Sequence, residues 1–106
     1  MNFIKLENIK IIRSDERGAI YACGQSSFII RKKGSTSANH THEDPETTYL
    51  VEGRIELTIG NETQIIEAPT LFKIDPNEYH KVVALTDIKL ITDRNESWTN
   101  SFTKQW

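Results

Sequence analysis

A chain of 106 residues with 13 Lys and Arg against 15 Asp and Glu has a formal net charge of −2, which gives no electrostatic reason to expect a nucleic-acid partner. A chain this long buries roughly two-thirds of its unfolded surface, enough for one core and not two, so residues 1–106 are expected to form a single domain. No apolar run approaches the ~20 residues that span a bilayer, the start Met1-Asn2-Phe3-Ile4-Lys5 lacks a signal-peptide core, and Cys23 has no second cysteine to pair with; together these predict a cytoplasmic protein without a membrane partner.

From the amino terminus, short β segments are expected at 3–6, 9–13, 19–23 and 27–32, each bounded by Gly, Pro, Asn or Asp. Ser14-Asp15-Glu16-Arg17-Gly18 reads as a polar hairpin connection. Cys23 closes Ala19-Ile20-Tyr21-Ala22-Cys23 as a small buried hydrophobe. Arg31, Lys32 and Lys33 cluster as a solvated strand end.

The histidines come next. His40 and His42 are two apart, and in a strand that spacing sends both imidazoles to one face, about 6.5–7 Å apart. Pro45 lets the chain bend, so Glu46 can bring a carboxylate to the same point as a strand at 46–52 begins. If Glu46 points inward, Thr48 and Leu50 follow it, whereas Thr47, Tyr49 and Val51 face out and need cover from the amino-terminal strands or a second subunit.

Ile55, Leu57 and Ile59 alternate with Glu56 and Thr58, and Gly60-Asn61-Glu62 turns the chain into 63–67, a hairpin. Phe72 and Ile74 alternate with Lys73 and Asp75, and the Pro76-Asn77 turn then leads to His80, Val82 and Ala84 on one interior face. The core is expected to rest on Ile55, Leu57, Ile59, Phe72, Ile74 and Val82. A last strand is expected at 88–92. In residues 93–106, Trp98, Phe102 and Trp106 are four apart, the spacing of a short amphipathic helix; a lid or a flexible tail are the other readings. So many short strands without a sustained helical stripe predict an all-β sandwich or barrel, of which the jelly-roll barrel hides its strand edges.

All three histidines of the chain fall within Gly34-x5-His40-Thr41-His42-x3-Glu46-x6-Gly53 and the later Asp75-Pro76-Asn77-Glu78-Tyr79-His80. Three imidazoles and a carboxylate suit one divalent transition metal per chain (Fe, Mn, Ni or Zn) and leave positions for a small-molecule ligand. Metal-bound imidazoles are neutral with the lone pair engaged, so His40, His42, Glu46 and His80 are expected to be ligands and not proton carriers. Glu43, Asp44, Glu78 and Tyr79 beside them read as solvated strand-end groups.

These two segments resemble the signature motifs of the cupin superfamily, G-x5-H-x-H-x3,4-E-x6-G and G-x5-P-x-G-x2-H-x3-N. The first is matched at every fixed position from Gly34 to Gly53. The second is matched in part, with Asp75 at the proline, Asn77 at the glycine, Ala84 at the asparagine and Pro69 at the leading glycine. Asn is the usual substitute where a positive φ is required, so the turn should survive. The resemblance implies a single-domain cupin-type jelly-roll β-barrel, a homodimer, and a mononuclear three-His, one-Glu centre serving a small-molecule enzyme of dioxygenase, isomerase or lyase type. Two alternatives stay open: a non-catalytic metal or small-molecule-binding cupin, and a sugar-nucleotide ketoisomerase or epimerase. Residues 15–18 resemble the Asp-x-Arg-Gly turn of the latter enzymes, and Arg31, Lys32 and Lys33 would have to meet its diphosphate. In the ketoisomerases, however, the His-x-His pair acts without metal and usually follows an arginine, whereas Ser37, Ala38 and Asn39 precede His40.

Overall fold

A computed structural model of the chain describes residues 1–41 and 43–93; His42 and the aromatic tail, with its expected helix or lid, lie outside the described residues. The strands are β1 (Ile11–Asp15), β2 (Gly18–Cys23), β3 (Ser26–Arg31), β4 (Thr36–His40), β5 (Glu46–Glu52), β6 (Arg54–Ile59), β7 (Glu62–Glu67), β8 (Thr70–Ile74), β9 (His80–Ala84) and β10 (Ile88–Asp93). They form two antiparallel sheets ordered β1-β2-β3-β10-β5-β8 and β4-β9-β6-β7, the crossed connectivity of a jelly roll. The fold is therefore all-β, as the alternation implies.

Period-2 patterning accounts for the core. Leu50, Ile55, Ile74 and Ile88 are fully buried, joined by Leu57, Val82, Ala84 and Leu90, and Ile59 and Phe72 pack against this cluster half-buried. Each fully buried aliphatic side chain contributes about 1.5–3 kcal/mol relative to exposure. Asn77 adopts φ 62 in the turn before β9, so it does replace a glycine there. In the first hairpin Asp15 faces Gly18 across the turn and accepts the Arg17 backbone N–H at 2.9 Å.

Three local expectations fail. Residues 3–6 form no strand: Phe3 and Ile4 are 73% and 70% exposed, and a 3-10 turn at Leu6–Asn8 satisfies its own backbone through Asn8 N–H to Lys5 O and Ile9 N–H to Leu6 O. Hydrogen bonding to β2 reaches back to Lys10, whose carbonyl accepts the Ala22 N–H at 2.9 Å, and β1 itself begins at Ile11. Cys23 is exposed and not buried, because it is the last residue of β2, beside the Gly24 turn. Thr47 is 0% exposed although its parity points it away from the core; it lies between Lys73 and Asp93, the longer side chains opposite it on the neighbouring strands.

Two glycines are demanded by packing. A Cβ on Gly18 (φ +140) would fall on the Ile30 carbonyl, and one on Gly53 (φ +97) would meet Thr86, Asp87 and Ile88. Close backbone approach at a positive φ admits no other residue without strain.

Candidate metal centre and ligand cavity

In β9 the alternation puts His80 (0% exposed), Val82 and Ala84 in the interior. β4 lies beside β9 with an irregular register: Ser37 pairs with Val82 and His40 with His80. Three steps on β4 thus match two on β9, which is a β-bulge of one residue. The consequence is a change of face. Without the extra residue Asn39 would stand opposite His80 and His40 would turn to the other side of the sheet. Ala38 supplies the bulge in the left-handed conformation, φ 54, and the Tyr79 hydroxyl donates to Asn39 Oδ1 across it.

The bulge brings two of the four expected ligands together. The His40 and His80 rings lie 4.7 Å apart at 87°. His80 Nδ1 is 3.0 Å from the Glu78 carbonyl oxygen, and since a carbonyl can only accept, the proton sits on Nδ1. In the neutral ring Nε2 then carries the lone pair, as in a ligating histidine oriented by a backbone acceptor. Glu46 opens β5, buried, and accepts the Thr48 hydroxyl at 3.0 Å; Thr48 and Thr92 share a further hydroxyl contact at 3.1 Å.

The other expectations fare unevenly. β4 ends at His40, which is exposed, and the shared face expected for His40 and His42 involves a residue outside the described ones. Among the described residues no three His, Cys, Asp or Glu side chains converge closely enough to hold an ion; His42 stands outside that set. Glu46 and His40 line one cavity of about 410 Å³ between the sheets.

That cavity is also lined by arginines that the sequence reading did not place at the site, having offered Arg31 only for a diphosphate and Arg17 only in a turn. Arg13, Arg17 and Arg31 all line it. Arg31 is not a solvated strand end with Lys32 and Lys33: it is 5% exposed whereas both lysines are exposed. It is still part of β3, paired with Gly18 on one side and Ile88 on the other, and the lysines follow after the strand has ended. Its parity with Ile29, which lines the same cavity, was the available signal. Arg17 donates from Nε and Nη2 to Asp15 at 3.1 and 2.7 Å and from Nη1 to the Thr36 carbonyl. Those side-chain bonds hold the Asp15 carboxyl at about 2, below its ordinary 3.8. Burial, and then the charge of Arg17, lower the Arg31 pKa.

Residues 27–92 match the Cupin domain family. An RmlC-like cupin from Shewanella frigidimarina has a TM-score of 0.70 at 22% identity, over 87% of both chains. KdgF from Halomonas sp. gives 0.68 at 19% identity, over 92% of this chain and 99% of that one. A mutant of the salicylate 1,2-dioxygenase from Pseudoaminobacter salicylatoxidans gives 0.63 at 15% identity, over 74% of this chain but 23% of the dioxygenase. At these identities the likeness is one of fold. No curated protein sequence matches the chain significantly, and among the described residues no helix is long and apolar enough to cross a membrane.

Proposed function

The chain belongs to the cupin family, and from that premise we propose that it is a metal-dependent enzyme acting on a small molecule inside the cell, with one divalent ion held by His40, His42, Glu46 and His80. The observation that carries this reading is the buried His80, whose Nδ1–H is committed to the Glu78 carbonyl beside the His40 ring. In the neutral ring this tautomer presents the Nε2 lone pair to an ion. The chemistry of Fe, Mn, Ni or Zn at such a site is polarisation of a substrate oxygen or, for a redox-active ion, oxygen chemistry.

The chain's own residues would bind and orient. Thr48 fixes one Glu46 oxygen, which sets the direction of the carboxylate. Ile20, Ile29, Phe72, Val82 and Leu90 wall the cavity and exclude water from a ligand held there. Diphosphate recognition is less well served, because Arg17 is already engaged by Asp15. One neighbour is a dioxygenase by name, which is compatible with oxygen chemistry.

Metal analysis of protein purified without affinity metals tests the reading. About one ion per chain is expected, falling to near background in His80→Ala with the β-sheet circular dichroism retained, and affinity should decline as pH drops through the free imidazole range near 6.5. Native protein without metal, or His80→Ala with a full complement, would remove the proposal.

The assembly proposed with it is a homodimer. Ile11, Ile12, Tyr49 and Val51 are all exposed in the single chain, more apolar surface than scattered residues account for. Light scattering at micromolar concentration should give twice the chain mass of 12.2 kDa, and a stable monomer would return Tyr49 and Val51 to ordinary surface.

A further inference from the structure

The cavity holds a cation that the proposed metal centre does not use. Arg31 is 95% removed from solvent, since 5% of it is exposed, and its Nε is buried with no hydrogen-bond partner among the described residues. Its Nη1 reaches only the carbonyl of the preceding Ile30, at 3.3 Å. Burying a guanidinium without a partner is costly. The neighbouring Arg17 is bonded through all three guanidinium nitrogens, to Asp15 and Thr36, whereas Arg31 Nε has no partner among the described residues.

We propose that Arg31 is the anchor for the carboxylate of a small organic acid, taken side-on by its unpartnered guanidinium edge beside this cavity, with Arg13 at the exposed rim adding positive charge. The assignment rests on the reading of the cavity as a small-molecule site. It names a carboxylate for three reasons. The planar edge formed by Nε and an Nη matches the two oxygens of a carboxylate. Asp15 already binds Arg17 in that side-on manner beside the same cavity, with Nε 3.3 Å from Oδ1 and Nη2 2.7 Å from Oδ2. And a single guanidinium edge near the Asp15 charge favours a monoanion over a phosphate dianion, which calls for several donors. The register also gives the cavity a polarity. Arg31 is level with Ile88 at the start of β10, whereas Glu46 lies beyond Asp93 at its end. The ligand's acid group would therefore face β3, and its remaining atoms would point toward Glu46 and His40.

Calorimetric titration of the protein as purified with acetate, hexanoate and benzoate, each beside its neutral amide and beside inorganic phosphate, tests the assignment. At least one acid should bind and its amide should not. Arg31→Met should weaken that acid at least about tenfold, the scale of one charge-assisted hydrogen-bonded pair, while leaving the metal content unchanged and the melting temperature equal or higher, because an unsatisfied buried charge has been removed. Should Arg31→Met fail to fold, Arg31→Lys decides: it keeps the charge and loses the fork, so binding should again fall. Acid binding unchanged in Arg31→Lys, binding of phosphate in preference to every acid, or no acid binding at all would overturn the proposal. Metal measured in the same samples separates the two readings. Acid binding that tracks the ion and ignores Arg31 refutes the anchor alone, and a metal-free native protein whose acid binding still requires Arg31 refutes the metal centre alone.

Discussion

Replacing Gly18 by alanine is expected to lower the melting temperature by at least ~10 °C or to prevent folding, at a cost of about 3–5 kcal/mol out of the roughly 5–15 kcal/mol that holds a domain this size. The new methyl group would occupy the position of the Ile30 carbonyl oxygen, with Arg31 Cα also inside contact distance. Neither is the end of a flexible side chain. Both belong to β3 at the point where it pairs with β2, so relief requires separating two strands of the sheet. The φ of +140 adds a conformational penalty of its own. Gly24 is the control: its φ is +60 but nothing lies within 4 Å of an added Cβ, so alanine there should cost only about 1 kcal/mol. Thermal melts followed by circular dichroism would check both, and a Gly18→Ala protein melting within ~3 °C of the native one would show that the strands separate more easily than argued.

Ala38→Val should disable the proposed metal site without touching a ligand. A β-branched residue resists φ near +54, the value Ala38 holds, so the bulge would be strained or lost and His40 would leave the face it shares with His80. Metal affinity should drop at least about tenfold, the low end for disturbing a ligand's support. Ala38→Gly should do the opposite for stability, gaining about 1 kcal/mol because glycine accepts a positive φ freely, with metal retained. Competitive titration with a chromogenic chelator would compare them, and equal affinities in the two variants would mean that the bulge does not position His40.

Much of this architecture can be read from the residues, and the exceptions share a cause. β9 is legible because His80, Val82 and Ala84 alternate with Lys81 and Val83 on a strand whose burial obeys period 2, and Asn77 is legible because few residues other than glycine accept φ 62. The bulge in β4 is not, since it is defined by a count on one strand against a count on its partner, and a single sequence contains no pairing. Arg31 was obscured by the two lysines after it, although its distance from Ile29 already assigned its face. The apolar residues 3–6 resemble a strand by composition, but a strand exists only where another offers hydrogen bonds.

The place of β10 has a kinetic consequence. Residues 88–93 lie between β3 and β5, so the part of the sheet that carries Arg31 and the part that carries Glu46 are joined by β10, a strand made after both. Until then β3 and β5 each present an unpaired edge, and the stretch Phe28-Ile29-Ile30 on one is apolar enough to pair with another chain. Closing the barrel requires contacts between residues about sixty positions apart, such as Leu90 with Ile29, which places it among slow, high-contact-order folders reaching the native state in milliseconds to seconds. Until β10 docks, both edges stay open to other chains, which makes the rate of that docking a determinant of yield.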